Sequence, residues 1–342
     1  MSRVAVGVLP VTLNSQTLSC PTALLAAAAK RVSGRLYVYC HTGSSLQVPP
    51  ASLEQCLRWA ALAYDACSSV DARVDARLLF SATGWDAQAV SRLDFDAVLQ
   101  SGDVQISGSD IVPQLGGRRV VRLEAADCAI PLSDAVPPEA YPWHMLRTRG
   151  PRAAMLAVAS LILAGPPPPH CRAVVAGTFD RLHAGHRLLL TSASLVCTGT
   201  LYVGVAGDLL TARKRYQSLV QPFAVRRAAV TAFLNDVHPG LRVVVGELTN
   251  PLRGIDGQPP VDGMVVSRET VSNALRLNVI KMLASLLAAV FPPARRALHD
   301  KLQGVSPYGL VIVPVLPLRC DEDKLSSTQL RAKDAAQSST AI

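Results

Sequence analysis

Several common features are missing from this chain, and each absence removes a class of function. No apolar run reaches the roughly 18–20 residues that a membrane-spanning helix needs. The longest candidate, Ala153 to Gly165 (AAMLAVASLILAG), reads as a buried core helix, so no membrane span is expected. The eight cysteines, Cys20, Cys40, Cys56, Cys67, Cys128, Cys171, Cys197 and Cys320, form no C-x-x-C pair and have no His at metal-ligand spacing. They read as reduced thiols, not as a disulfide frame or a zinc ribbon. Gly-Lys never occurs, which excludes a G-x-x-x-x-G-K-[ST] phosphate loop from this sequence. Aromatic residues make up only 5%. The net charge of +9 comes from scattered basic residues, mostly Arg, with no aromatic interleaving, and so predicts no nucleic-acid partner. A site for phosphorylated small molecules accounts for the excess equally well.

No acidic residue precedes Glu54, and Arg3, Lys30 and Arg31 lie in that acid-poor stretch, as in some transit peptides. The same stretch has the rhythm of folded structure, however: an apolar strand (Val4 to Leu9), an Ala/Leu helix (Pro21 to Val32) and a second strand (Leu36 to Cys40). A folded N-terminus with few acids is the simpler reading. The expected location is cytoplasmic, with mitochondrial association left open.

At 342 residues, 49% of them hydrophobic, the chain is long enough for two globular domains. Pro166 to Pro169 can continue neither helix nor sheet and mark the boundary. The reading is an N-terminal α/β domain over 1–165, a Pro-rich linker over 166–170, an α/β domain over 171–335 and a flexible tail over 336–342. In the first domain, strand-like runs (Val4–Leu9, Leu36–Cys40, Val74–Phe80, Phe95–Leu99, Arg119–Leu123) alternate with helices (Pro21–Val32, Ser52–Cys67). No tandem repeat is visible. After the prolines, strands at Ala173–Ala176, Leu201–Ala206, Leu241–Val245, Gly263–Val266 and Leu310–Val315 are separated by helices at about 184–197, 222–235 and from 268, with a last helix near Ser326. That alternation predicts right-handed crossovers and a mainly parallel, Rossmann-like sheet. The segment Val279 to Phe291 (VIKMLASLLAAVF) reads as an apolar helix used in core packing.

In a parallel sheet, ligands bind at the carboxyl ends of strands, where strand order reverses. GTFDRLHAGH, residues 177–186, falls at such an end. Gly177 lets the chain turn tightly, and Thr178 presents a hydroxyl. His183 and His186, three apart, share one face of a helix start beside unsatisfied N–H groups, and Gly185 between them leaves room for a ligand. Dipole, N–H groups and imidazoles together suit a phosphate. Two alternatives stand beside this one: a metal pair, which lacks a third ligand beyond Asp180, and a satisfied pair of structural histidines.

GTFDRLHAGH resembles the first motif of the HxGH nucleotidyltransferase superfamily. Three further stretches resemble the archaeal and eukaryotic type of phosphopantetheine adenylyltransferase: Val266-Ser-Arg-Glu-Thr270 with Asn278, Gln221-Pro-Phe223 with Arg226, and Asp323-Lys-Leu-Ser-Ser-Thr328 with Arg331. Gly34-Arg-Leu-Tyr-Val-Tyr39 is similar to the N-terminal region of eukaryotic coenzyme A synthase. The dephospho-coenzyme A kinase part of that protein is not expected, because the Gly-Lys pair is missing.

The resemblance implies transfer of AMP from ATP to 4′-phosphopantetheine, with Mg²⁺ accompanying ATP and a separate dephospho-coenzyme A kinase acting downstream. It implies catalytic roles for His183, His186, Thr178 and Lys214. It implies nucleotide or substrate contacts from Gly177, Phe179, Asp180, Gly185, Arg213, Ser267, Glu269, Thr270, Asn278, Ser326, Ser327, Thr328 and Arg331. No protein metal ligand is implied. The basic residue is Lys214 or Arg213 in Ala212-Arg-Lys-Arg215. Ser326 to Thr328 also reads, on its own chemistry, as a helix cap. Some positions depart from the family pattern: Lys281 replaces an Arg fork, Asn250-Pro-Leu replaces Asp-Pro-aromatic, and Val225 replaces an acid. Two rival functions remain. A cytidylyltransferase for a phosphorylated alcohol usually carries R-T-x-G before its last motif, where this chain has Asp321-Glu-Asp-Lys324. A non-catalytic relative with a regulatory role would keep the fold and lose the histidines, which are intact.

Overall fold

The computed structural model describes residues 3–13, 20–41, 50–101, 111–123, 170–212, 214–250, 261–291, 308–316 and 326–340. Cys128, Cys320, Arg213, the segment Ala153–Gly165 and the four prolines of the boundary lie outside them. The first unit runs β1 (Val4–Thr12), α1 (Thr22–Arg31), β2 (Val32–His41), α2 (Pro50–Val70), β3 (Asp75–Phe80), α3 (Ala87–Ser91), β4 (Ala97–Ser101) and β5 (Arg119–Leu123). The second runs β6 (His170–Gly177), α4 (Ala184–Val196), β7 (Cys197–Ala206), α5 (Asp208–Thr211), α6 (Phe223–Val237), β8 (Arg242–Leu248), β9 (Gly263–Ser267), α7 (Val271–Val290), β10 (Gly309–Val313) and α8 (Ser327–Thr340).

All strand pairs are parallel. The sheets are ordered β3-β2-β1-β4-β5 and β10-β9-β6-β7-β8. Numbered within its own unit, each sheet reads 3-2-1-4-5, so the molecule uses one topology twice although its sequence shows no repeat. A parallel sheet is buried on both faces, which is why its strands read as nearly continuous Val/Leu/Ala runs. Pro10, which cannot donate, sits in β1 beyond the two residues paired to β4, Gly7 with Ala97 and Val8 with Val98.

A single buried apolar cluster runs through both units, from Trp59, Tyr64 and Phe80 to Leu188, Phe233 and Val313. Helix α2 lies against α4, and α6 against β3. Polar contacts cross the same seam. The Tyr64 and Thr191 hydroxyls are 2.8 Å apart, Thr83 donates to Val237 O at 2.8 Å, and Trp85 Nε1 donates to Asp236 O at 2.7 Å. Described thiols are unbridged. Burial pushes Cys56 up to about 11 and Cys67 up to about 12, which keeps both protonated and unreactive.

Three expectations are corrected. Strand β6 starts at His170, inside the stretch read as linker. Helix α8 continues to Thr340, so the tail read as flexible from 336 is helical up to that residue. The apolar segment from Val279 belongs to α7, and its outer face is not core: Leu283, Leu286 and Val290 are 56%, 59% and 69% exposed. The cause is length. Twenty helical residues span ~30 Å, whereas the five-residue strand they pack on spans about 16 Å, so that strand cannot cover the helix along its whole length.

Candidate active site

Strand β6 is central in its sheet, with β7 on one side and β9 on the other. Chain connections leave in opposite directions from this point, which opens a crevice at the carboxyl ends of β6 and β9. The turn 177–186 fills its floor. Phe179 and Arg181 adopt left-handed backbone angles (φ 53° and 49°), rare for non-glycine residues and characteristic of functional turns. Gly177 is required by packing: a Cβ there would stand 3.1 Å from the Phe179 ring. Phe179 itself is fully buried, with its ring 5.3 Å from that of His186. It backs the histidine from the core side.

Helix α4 begins at Ala184, with His183 extended before it. The His183 and His186 rings stack at 3.9 Å and 27°. Stacked rings direct their nitrogens side by side, not toward one ion. Gly185 makes the stack possible, since a Cβ would lie 3.2 Å from His183 Cε1. His186 Nδ1 is shut off from solvent and has no hydrogen-bond partner among the described residues. Burial drives its pKa well below the ordinary value, and the neighbouring His183, Arg187 and Lys214 add to that. At neutral pH the ring is therefore an uncharged donor and acceptor.

Asp180 ties the turn to two distant parts of the chain. Its carboxylate is fully buried and accepts from Arg331 Nη1 at 2.5 Å, Arg181 Nη1 at 3.1 Å and Gln221 N at 3.0 Å. Its carbonyl accepts from Ser327 Oγ at 2.8 Å. Asp180 is therefore spent on architecture. Arg331, which the resemblance puts near phosphate, is 1% exposed, and its other donors reach Arg215 O and Thr328 Oγ1. Arg226, also buried, donates to Thr178 O, Ala206 O and Gln221 O, and so clamps the ends of β6 and β7.

The start of α8 is a capping box. Ser326 Oγ accepts from Gln329 N at 3.3 Å while Gln329 Oε1 accepts from Ser326 N at 3.2 Å. Among the described residues Ser326 accepts from Gln329 N and Thr328 from Arg331 Nη2, with no bond donated by either hydroxyl. From β9, the Ser267 and Thr270 hydroxyls meet at 3.2 Å in an exposed turn that also carries Glu269. Strand pairing Val175 with Val265 puts that turn beside the end of β6. Asn278 is corrected too. It bridges the Tyr308 backbone in both directions, at 2.9 and 2.8 Å, and so holds α7 to the approach of β10.

Thr178, His183, His186, Lys214 and the α8 start are thus brought to one end of one sheet, with the β9 turn beside them. Arg181 has no role in the sequence reading, which places Gln221 and Arg226 in a family motif and Lys281 at a departure from it. Lys281 is buried, with Nζ 4.0 Å from the Tyr308 ring centre, and burial lowers its pKa to about 8.

A doubly wound sheet with an anion-directed helix start at its switch point defines a nucleotide-handling α/β enzyme domain. No family model matches the chain. Curated relatives do. The phosphopantetheine adenylyltransferase of Methanopyrus kandleri is 30% identical over 162 residues, 47% of this chain and 89% of the relative, and that of Thermococcus kodakarensis is 28% identical over 84% of its length. The Saccharomyces cerevisiae protein of the same name is 33% identical over 45% of this chain, a match that spans about half of the yeast protein, 46%. The chain belongs to the phosphopantetheine adenylyltransferase family.

Proposed function

We propose that the chain transfers the adenylyl group of ATP to 4′-phosphopantetheine, giving dephospho-coenzyme A and pyrophosphate in coenzyme A biosynthesis. A phosphate oxygen of the acceptor attacks the α-phosphorus of ATP, and the bond from that phosphorus to the β-phosphate oxygen breaks. The nucleophile is already an anion, so no strong base is required. The protein must align two polyanions and stabilise charge on the α-phosphoryl oxygens. One observation carries this reading: Asp180 joins the His183/His186 turn to the Ser326–Thr328 helix start through Arg331 and Ser327. Neutral His186, stacked on His183, donates to the α-phosphoryl group, with Thr178 and Lys214 at the mouth. The hydroxyl protons of Ser326 and Thr328, with the N–H groups of α8, take the β- and γ-phosphates.

Mg²⁺ belongs to this reading as a companion of the triphosphate. The turn supplies it no ligand, because the Asp180 carboxylate is already taken by Arg331, Arg181 and Gln221. The ion would neutralise phosphate charge while keeping most of its water. Reduced thiols suit a cytoplasmic setting. No helix among the described residues is long and apolar enough to cross a membrane. A dephospho-coenzyme A kinase activity would consume the product.

Pyrophosphate release from ATP or CTP, with 4′-phosphopantetheine or phosphocholine as acceptor, tests the assignment. Turnover is expected with ATP and phosphopantetheine, and dephospho-coenzyme A should accumulate. Preference for CTP, or binding of both substrates without pyrophosphate, would overturn it.

A further inference from the structure

We infer that the N-terminal unit sets the position of the histidine-bearing helix α4, with Asp75 acting as a positioning residue through Arg187. Arg187 directly follows His186 and turns away from the crevice toward the first unit. Its Nη1 donates to Val74 O at 2.7 Å, and its Nε stands 3.1 Å from Asp75 Oδ1. One turn further along the same face, Thr191 meets Tyr64 of α2. Besides carrying His186, the helix buries Arg187, Thr191, Ser192 and Ser194, a heavy polar load for a helix of thirteen residues. The N-terminal unit receives two of these side chains, Arg187 at the start of β3 and Thr191 at α2, while Ser194 donates within the helix to Thr191 O.

Asp75 is built to hold a guanidinium in place. Its ion pair with Arg187 is a close charge contact without hydrogen-bond geometry at Nε, and its carboxylate accepts hydrogen bonds from Arg35 Nε and Arg77 Nη2, both at 2.9 Å. Burial alone would raise its pKa, but Arg187 and Arg77 outweigh that and keep the carboxyl below its usual range. Four residues separate Asp75's partner on α4 from the stacked His183, whose carbonyl accepts from Arg187 N at 3.0 Å. A shift of Arg187 therefore moves the histidine pair with it. A displacement near 1 Å at a reacting group can cost up to about 10²-fold in rate. The match takes up 89% of the Methanopyrus kandleri relative, which leaves that chain too little length for a second five-stranded unit. Positioning from outside is thus an addition in this chain to the reaction proposed above, on which the kinetic part of the inference rests.

A second aspartate at the same seam supplies the control. Asp236, on α6, pairs with Arg77 and Tyr37 and makes no contact with Arg187. Asp75→Asn is expected to lower kcat about 10-fold, with KM for both substrates within about twofold. Asp236→Asn should lose thermal stability similarly and keep kcat within about twofold. Tyr64→Phe, a milder change on the α4 face, should lower kcat about 2–3-fold and serves if Asp75→Asn does not fold. Imidazole ¹⁵N shifts of His183 and His186 should move in Asp75→Asn and Tyr64→Phe but not in Asp236→Asn. Equal kcat losses in the two aspartate variants, or unmoved imidazole signals in Asp75→Asn, would overturn the inference. If the wild-type protein transfers no adenylyl group, the proposed reaction fails, and the imidazole shifts still decide the positioning.

Discussion

Asp180 and Arg331 lie 151 residues apart in sequence and meet in a fully buried pair, with Arg331 Nη1 at 2.5 Å from Asp180 Oδ2. Arg331→Ala would leave a buried carboxylate held only by Arg181 and Gln221 N. The expected loss is about 3–5 kcal/mol, read from urea unfolding. Arg331→Lys should recover part of it, because one ammonium cannot reach Asp180, Arg215 O and Thr328 together. A loss under ~1 kcal/mol in the alanine variant would show that the pair does not hold the turn.

His186 should matter for rate and little for folding at neutral pH. His186→Ala is expected to lower kcat about 10²-fold, the size of one lost preorganised donor. Its unfolding should stay cooperative. A folded variant with full activity would remove His186 from the mechanism.

The same residue makes stability depend on pH. Folded His186 stays neutral, held well below its ordinary pKa first by burial. In the unfolded chain the imidazole takes up a proton below about pH 6.5. The unfolded state therefore binds more protons in that window, and stability rises with pH. The contribution is complete above about pH 7 and is lost progressively as pH falls below about 6.5, at up to ~1.4 kcal/mol per pH unit. Burial shifts His170 and His238 the same way. Urea midpoints at pH 7.5 and 5.5 should consequently differ more for wild type than for His186→Gln, which keeps a residual slope. Equal slopes would show that His186 is protonated in the fold.

Gly185→Ala separates geometry from stability. The added methyl gains helix propensity, up to ~1 kcal/mol, but must push the His183 ring off its stack by a few tenths of an ångström. Thermal stability should change by less than about 1 kcal/mol, while single-turnover rate falls about 10-fold. An unchanged rate would mean that the stacked arrangement is not used in catalysis.

Leu286→Gln on the overhanging part of α7 should change stability by less than about 0.5 kcal/mol in chemical denaturation, since Leu286 is exposed. A loss above 2 kcal/mol would mean that this face is packed.

Much of this was legible from sequence, and what failed has a common cause. Strands such as Arg119–Leu123 and the start of α4 came out of local periodicity and turn chemistry, and GTFDRLHAGH marked the site because glycine, histidine and a strand end coincide. Local pattern does not carry partner choice. Asp180 reads from sequence as an organiser of the turn, but that its buried partner is Arg331 shows only in the fold. Phe179 reads as part of a motif although its ring belongs to the core. The polar face of α4 at Arg187 and Thr191 had no visible reason, because its partners Asp75 and Tyr64 come from a unit with no recognisable motif. The α7 overhang was missed because apolar composition predicts burial only where something is there to bury against.

The capping box and the Arg331–Asp180 pair also set an order in time. During synthesis the turn 177–186 emerges long before α8, so Asp180 must wait for residue 331 before its carboxylate has its buried partner. Until then neither wall of the crevice is tied to the other. The crevice consequently cannot be clasped before residue 331 has been made, and a ribosome-bound intermediate ending before Arg331 holds both histidines without the contact that ties their turn to α8.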